Sequence, residues 1–262
     1  MSDGTSSTAR AEHPAAAPDR VEVVVAHEAR TTLRVGDMFL KVDSDQANLD
    51  HEVASIELAP IPTPSILWRK PHVLAISAVG GTVLGHLGEA STASSAAWEA
   101  VGAAARTLHD APLPPWRGRS LVDVETRLDE ECELLVGSGI LPEELVARNR
   151  EVAEAALVPY EPVFMHGDFQ IEHVFVSDDT VTGVIDWSEG GQGSAMFDLA
   201  TLTLGHEERL DEVIAGYGKA VDRDVITAWW SVRSLLAVRW LFEHGFDAAA
   251  PGAEVDVLKA RM

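Results

Sequence analysis

The N-terminal part of the chain places apolar and β-branched residues in short runs that predict strands. Three of these runs are Val21–Ala26, Arg30–Val35 and Met38–Val42. Apolar residues three and four apart then predict a helix over residues 49–58, and Val73–Val79 predicts one more strand. Three prolines between residues 60 and 64 predict a rigid connector. This part of the chain therefore predicts a small, mainly antiparallel sheet with one helix.

From residue 91 onward the apolar spacing becomes that of α-helices. One helix is predicted from an N-cap among Ser91–Ser95 to His109. The same spacing predicts later helices over residues 121–135, 143–157, 207–218 and 223–244. Aromatic and apolar residues on the last helix predict a stripe that packs in the core: Trp229, Trp230, Leu235 and Trp240. Between these helices, residues 164–187 predict a short hairpin that turns at residues 177–180.

Composition narrows the classes of function. The formal net charge of −22 argues against a nucleic-acid partner, because a surface that binds phosphates is basic. An acidic surface suits a cationic small molecule, with solubility alone as the alternative. The chain has one cysteine, no apolar run at its N-terminus and no apolar stretch of membrane-spanning length. We therefore expect a cytoplasmic protein without a membrane partner. Its residues 1–20 are expected to form a disordered tail.

Two carboxylates flank the predicted hairpin in an arrangement that suits phosphoryl transfer. Asp168 precedes the first strand and Asp186 ends the second, so their side chains can converge. Phosphoryl transfer uses one carboxylate to orient the attacking hydroxyl and another to hold a metal on the phosphates. Lys41, between apolar residues of a strand, and Glu52, on the following helix, supply the other charges that a kinase needs. The alternative is an ordinary surface lysine and a solvated glutamate.

The motif His166-Gly167-Asp168, followed by Ile185-Asp186-Trp187 and Phe197-Asp198-Leu199-Ala200, resembles the aminoglycoside phosphotransferase family. The resemblance implies an α+β, two-lobed protein-kinase-like fold. Residues 21–80 would form a small nucleotide-binding lobe with an antiparallel sheet, and residues 81–262 a mostly helical large lobe with the catalytic loop and substrate site.

The resemblance also implies roles for individual residues. Asp168 would be the catalytic residue, and Asp186, with His173, would bind the metal, which is Mg²⁺ with Mn²⁺ as the alternative. ATP or GTP would be held by Lys41, Glu52 and a hinge marked by Ser77 and Val79. Asp198 would support the catalytic loop, His109 would be structural, and Thr31 and Thr32 would contact the phosphates.

His173 is the main departure from the family pattern, which has an asparagine there. Three interpretations stay open: His173 binds metal through a ring nitrogen, it contacts phosphate, or the protein binds nucleotide without catalysis. Glu189 is either a compensating second carboxylate or a solvated loop residue. Cys132 lies on an apolar stripe, which predicts a core thiol rather than a nucleophile.

The acceptor is predicted to be a small molecule with a hydroxyl group, first of all an aminoglycoside or similar cationic antibiotic. Macrolides, choline-like compounds and sugars are the alternatives within the family. Four acidic residues after residue 200 either meet a cationic acceptor or form a solvated face: Glu207, Glu208, Asp211 and Glu212. The sequence does not predict an oligomeric state.

Overall fold

The computed structural model describes residues 21–26, 29–86, 88–118 and 120–262, so the tail predicted over residues 1–20 lies outside the described residues. Five strands of the N-terminal part form one antiparallel sheet in the order β1-β2-β3-β5-β4. They are β1 (Val21–Ala26), β2 (Arg30–Val35), β3 (Met38–Asp43), β4 (Ile66–Lys70) and β5 (Val73–Ser77). The four strands predicted from the sequence are confirmed. β4 was not predicted, because its residues are mostly exposed and follow the proline-rich connector.

One helix, α1 (Gln46–Leu58), packs against this sheet. Asp45 caps its first turn by accepting a hydrogen bond from the N–H of Ala47. Apolar residues of α1 and β5 form a small separate core, made of Leu49, Val53, Leu74 and Ile76. The sheet therefore presents its buried face to α1.

The rest of the chain is mostly helical and contains a larger core of its own. Seven α-helices follow in this part of the described chain: α2 (Ser95–His109), α3 (Leu121–Gly137), α4 (Glu143–Ala153), α5 (Ala195–Thr203), α6 (Leu210–Tyr217), α7 (Arg223–Glu243) and α8 (Glu254–Lys259). The helices predicted over residues 143–157 and 207–218 are shorter than expected, because a 3-10 turn replaces the α-helix over Glu154–Ala156 and Glu207–Arg209. No helix among the described residues is long and apolar enough to cross a membrane.

Five short strands complete the architecture: β6 (Thr82–Val83), β7 (Val163–Met165), β8 (Val174–Ser177), β9 (Thr180–Val184) and β10 (Gly191–Gly193). The predicted hairpin is formed by β8 and β9, which are joined through Asp178 and Asp179 in left-handed conformations. β6 pairs with β8, so the chain joins this second sheet directly after β5. β10 pairs with β7 beneath the loop that carries Asp168.

The long helix α7 crosses the larger core and differs from its prediction at one residue. Trp230 is buried and donates a hydrogen bond from Nε1 to the carbonyl of Ala200 at 2.9 Å. Trp240, predicted to lie in the core, is 43% exposed and stacks on His244 with ring centroids 4.1 Å apart. That prediction was wrong because Trp240 lies near the C-terminal end of α7, where the helix emerges from the core.

Candidate active site

The loop after β7 is held in place by a buried carboxylate. Asp198, in the first turn of α5, accepts hydrogen bonds from the backbone N–H groups of His166 at 2.7 Å and Gly167 at 2.9 Å. Nε2 of His109 lies 3.2 Å from the same carboxylate, which is fully buried. These contacts confirm the supporting role predicted for Asp198 and the structural role predicted for His109.

Gly167 occupies a position that only glycine tolerates. Its φ is +84°, and a Cβ there would lie 2.3 Å from the carbonyl oxygen of Glu189. The arginine that protein kinases have at this place would therefore displace the loop that follows Asp186.

His166 fills the space behind the loop that carries Asp168. Its ring is fully buried against Trp187, with ring centroids 4.5 Å apart. Nε2 donates to the carbonyl of Ile185 at 3.0 Å, and Nδ1 accepts from the N–H of Asp168 at 3.2 Å. Burial lowers the pKa of His166, so the ring stays neutral. Because both nitrogens are engaged within the protein, His166 supports the loop and does not act as a base.

Asp168 lies beside an arginine of α7. Its Oδ1 accepts a hydrogen bond from Arg233 at 2.7 Å. Among the described residues, the contacts of its Oδ2 are longer, 3.4 Å to Nε2 of Gln170 and 3.5 Å to Nδ1 of His173. One oxygen is therefore fixed while the other can accept a hydrogen bond from a substrate hydroxyl. Sequence reasoning missed Arg233, although a charged residue inside an apolar helix was a signal for it.

His173 lies between the two carboxylates of the site. Its Nδ1 donates to the carbonyl of Asp168 at 2.9 Å, which fixes the tautomer and leaves a lone pair on Nε2. That nitrogen accepts from Gln170 at 3.0 Å and lies 4.0 Å from Oδ2 of Asp186. The predicted convergence of Asp168 and Asp186 thus occurs across the His173 ring.

Lys41, Glu52 and Asp186 come together in the cleft between the first sheet and the hairpin. Nζ of Lys41 bonds to Oε1 of Glu52 and lies 3.1 Å from Oδ1 of Asp186. Lys41 and Glu52 are buried, which rules out the alternative of an ordinary surface lysine and a solvated glutamate. Asp186 has a left-handed φ of +61°, a conformation that aspartate tolerates better than most residues.

Arg30 is a fourth member of this cluster and was missed by sequence reasoning. It lies 3.0 Å from Oε2 of Glu52 and 3.2 Å from Oδ1 of Asp186. Burial alone would raise the pKa of Asp186, but Lys41, Arg30 and His173 together hold that pKa well below its usual range. The position of Arg30 along β2 was a signal for it. Arg30 lies two residues before Thr32, the cross-strand partner of Lys41, so the side chains of Arg30 and Lys41 lie on the same face of the sheet.

The residues around Asp186 fit a divalent metal of the hard type. Magnesium is commonly bound by one or two carboxylates together with substrate phosphates and water, and Asp186 offers Oδ2 for this. Nε2 of His173 could serve as a nitrogen ligand to the metal, and manganese binds nitrogen ligands more readily than magnesium does. The described residues contain no group of three or more His, Cys, Asp and Glu side chains that could hold a metal by themselves. A metal here would therefore depend on the phosphates for its remaining ligands.

The residues proposed for the hinge and the phosphate cover have mostly structural contacts. Ser77 pairs with Ser65 through its N–H at 2.9 Å and its Oγ at 3.0 Å. Val79 packs against Gly183 of β9. Thr31 and Thr32 lie inside β2 rather than in a turn, and the residues of the turn, 27 and 28, lie outside the described residues.

A cavity of about 400 Å³ opens beside Gly167. One wall is the face of α7 that carries Trp229, Val232, Arg233 and Leu236, and the opposite wall is the face of α3 that carries Leu121, Val124 and Arg127. Arg117, Tyr160 and Glu189 also line it. Glu189 thus lies at the cavity. Trp229 was predicted to be a core residue, and it is buried but also contributes to this wall.

The sequence matches the family model described as a phosphotransferase enzyme family (APH) over residues 27–233. Among solved structures, the chain is similar to the aminoglycoside phosphotransferase APH(3'')-Id from Streptomyces rimosus in complex with ADP and streptomycin. The identity is 25% and the TM-score 0.61, over 84% of this chain and 94% of that chain. No curated protein matches the sequence.

Two further similar structures have lower identity and a comparable fold. One is a choline/ethanolamine kinase family protein from Mesorhizobium loti, with 19% identity and a TM-score of 0.64 over 95% of this chain and 90% of that chain. The other is the macrolide 2'-phosphotransferase MphH from Brachybacterium faecium, with 18% identity and a TM-score of 0.62 over 91% of each chain. The shared architecture confirms the predicted α+β, two-lobed kinase-like fold.

Proposed function

Because the chain belongs to the phosphotransferase enzyme family, we propose that it transfers the γ-phosphate of ATP, or of GTP, to a hydroxyl group of a small molecule. The observation that carries this proposal is the cluster of Lys41, Glu52 and Asp186 placed next to Asp168 across His173. Phosphoryl transfer needs these charges close together and already oriented.

In the proposed reaction, Oδ2 of Asp168 accepts a hydrogen bond from the acceptor hydroxyl and orients its oxygen toward the γ-phosphorus. The new P–O bond forms as the bond to the β–γ bridging oxygen breaks, ADP leaves, and the hydroxyl proton passes to Asp168. Lys41, oriented by Glu52, neutralises charge on the nucleotide phosphates. Asp186 would hold a divalent metal, which supplies further charge neutralisation at the phosphates.

Arg233 fixes the carboxylate of Asp168 through Oδ1 while Oδ2 serves the acceptor. A guanidinium remains charged at any working pH, so Arg233 is a permanent hydrogen-bond donor in this pair. Val79 stays a candidate for contact with the nucleotide base, and Ser77 a weaker one because its N–H already pairs with Ser65.

The predicted aminoglycoside acceptor rests on the family resemblance and on the acidic composition. The similar Streptomyces rimosus enzyme was solved with streptomycin, so streptomycin is the first acceptor to test. The arginines of the cavity favour a different acceptor class. Sugars, macrolides and choline-like compounds belong in the same panel.

The test is nucleotide binding and slow ATP hydrolysis with magnesium and with manganese. Asp186→Ala should abolish metal-dependent turnover, and Asp168→Asn should lower kcat by a factor of about 10² to 10⁴ while ATP still binds. Asp211→Ala removes an exposed acid that does not line the cavity, and it is the control for the loss of one negative charge. Absence of nucleotide binding under both metals would refute the proposal.

One more variant decides what His173 does. If Nε2 binds the metal, His173→Asn should shift the preferred metal from manganese toward magnesium. An unchanged preference would leave His173 with its hydrogen bond to Asp168 as its role. Nucleotide binding without any turnover across the acceptor panel would favour the interpretation as a nucleotide-binding protein that has lost catalysis.

A further inference from the structure

The cavity beside Asp168 reverses the charge balance of the protein. The whole chain has 20 Lys and Arg against 42 Asp and Glu. The residues that line the cavity include three arginines, Arg117, Arg127 and Arg233, and one acid, Glu189. A wall that only followed the composition would carry about twice as many acids as bases.

Two of the three arginines, Arg117 and Arg127, are exposed to solvent at the cavity and lack a counter-charge among the described residues. Arg117 and Arg127 make no ion pair with any residue in the described part of the chain, although acids are abundant on its surface. Arg127 extends from α3 on the same face as Leu121 and Val124, and Arg117 lies on the loop whose backbone bridges to Gln192. Unpaired guanidinium groups beside an apolar wall are well suited to bind a carboxylate or another planar anion.

The third arginine links the cavity to the reacting end. Arg233 donates one N–H group to Oδ1 of Asp168, at 2.7 Å, and also lines the cavity. A guanidinium has five N–H donors, so others remain for an anionic group near the acceptor hydroxyl. A cationic group of the acceptor at this place would instead be repelled by the guanidinium of Arg233.

The acids once expected to meet a cationic acceptor are engaged elsewhere. Glu207 pairs with Arg261, Asp211 with Arg223, and Glu212 with Arg209 at 3.3 Å. Glu208 lies near His206 and Arg209, and none of the four acids is among the cavity-lining residues. They form a solvated, ion-paired face and leave the acceptor pocket to the arginines.

The rest of the cavity is apolar and neutral. Val232, Leu236 and Trp229 of α7 face Leu121 and Val124 of α3. Burial raises the pKa of Tyr160, so its phenol stays protonated and can donate a hydrogen bond. A volume of about 400 Å³ is within the range of pockets that enclose small organic ligands.

We propose that the phosphate acceptor is a hydroxylated small molecule with an apolar body and a carboxylate or similar anionic group, which Arg117 and Arg127 bind while its hydroxyl reaches Asp168. This inference rests on the proposed function for the identity of the ligand as an acceptor. The preference of the cavity for apolar anions can be measured without turnover.

The test compares two fluorescent probes of similar shape, the anionic 1-anilinonaphthalene-8-sulfonate and the uncharged N-phenyl-1-naphthylamine. We expect the anionic probe to bind the wild-type protein with one site and at least about tenfold more tightly than the uncharged probe, an advantage that decreases with added salt. The double variant Arg117→Gln/Arg127→Gln should remove this advantage and leave the affinity of the uncharged probe unchanged.

The matched control is Arg34→Gln/Arg148→Gln, which changes the net charge equally at exposed arginines outside the cavity. It should bind both probes like the wild type, and near-UV circular dichroism should show that each variant is folded. Equal binding of the two probes by the wild type, or equal losses in both double variants, would overturn the proposal. Displacement of the anionic probe by streptomycin at lower concentration than by 3-phenyllactate would overturn it as well.

The two proposals fail in different ways. Loss of nucleotide binding and of metal dependence would refute phosphoryl transfer but would leave the probe affinities as they are. A cavity without preference for the anionic probe would refute the acceptor class while ATP hydrolysis and its dependence on Asp186 remained.

Discussion

Replacing Asp198 by asparagine tests how the catalytic loop is held. The carboxylate is fully buried and accepts from two backbone N–H groups, at 2.7 and 2.9 Å, while His109 lies 3.2 Å away. An asparagine keeps the shape but presents an NH₂ group to one of these donors. His109 can change tautomer to accept from that NH₂ group, but the N–H of His166 or Gly167 cannot.

The expected cost follows from this count. One buried N–H group is left without an acceptor, at about 1–3 kcal/mol, and the remaining hydrogen bond loses its charge-assisted part, at about 1 kcal/mol. We therefore expect Asp198→Asn to lower the free energy of unfolding by about 2–4 kcal/mol. Urea titration followed by circular dichroism measures this directly.

Activity should fall with stability, because the loop that carries Asp168 loses one of its two anchors. We expect a lower kcat at saturating ATP with a smaller change in the KM for ATP, since Lys41 and Glu52 are not touched. Asp211→Asn, an exposed acid, is the control and should stay within about 0.5 kcal/mol of the wild type. A free energy of unfolding for Asp198→Asn that equals that of the control would refute the reasoning.

Three further predictions follow from buried groups. Burial lowers the pKa of His166 below its ordinary value of 6.5, so below pH 6.5 the unfolded chain binds a proton that the native protein does not. The contribution of the neutral His166 ring to stability is therefore complete above pH 6.5 and is lost as the pH falls below it. His166→Gln should therefore reduce the slope of the unfolding free energy between pH 5 and 6.5 by up to about 1.4 kcal/mol per pH unit, and an unchanged slope would contradict this. Gly183→Ala places a Cβ 2.4 Å from Val79 and should lower the free energy of unfolding in urea titrations by about 1–3 kcal/mol. Adding Val79→Ala to this variant should recover part of the loss, and no recovery would contradict the importance of the contact. Cys132 is partly buried and packs against the larger core, rather than lying fully inside it. Burial raises the pKa of its thiol from 9.0 to about 11, so iodoacetamide should react about 100-fold more slowly with the folded protein than with the urea-unfolded chain. Equal rates in the two states would contradict this.

Local patterns were sufficient to predict four of the five strands of the first sheet, the hairpin and the longer helices. β3 and α1 were predicted from apolar spacing, and this spacing also placed Lys41 and Glu52 on elements that pack together. The motif around Asp168 and Asp186 predicted the hairpin because its turn and its β-branched residues are continuous in sequence. Predictions were weaker where burial depends on distant elements. Trp240 has the helical spacing of a core residue, but its surroundings at the end of α7 are set by the rest of the fold.

The two site residues that sequence reasoning missed, Arg30 and Arg233, share one physical role, because each balances the charge of buried or partly buried carboxylates. Lys41, Glu52 and Asp186, as predicted, would leave the cleft with one positive and two negative charges. A buried cluster with unmatched charge is costly, and Arg30 brings the count to two and two.

The same reasoning applies at the other carboxylate. Asp168 was assigned from its motif without a partner, and Arg233 supplies one at 2.7 Å from the opposite side of the site. Both arginines lie far from their partners in sequence, Arg30 on β2 and Arg233 on α7, so no motif could connect them. A motif identifies the groups that react, whereas charge neutrality requires further groups whose positions only the fold determines. Arg117 and Arg127 are exposed, so water can solvate them and neutrality does not require a partner in the described part of the chain. Their position on the cavity wall leaves both guanidinium groups available to an anionic ligand.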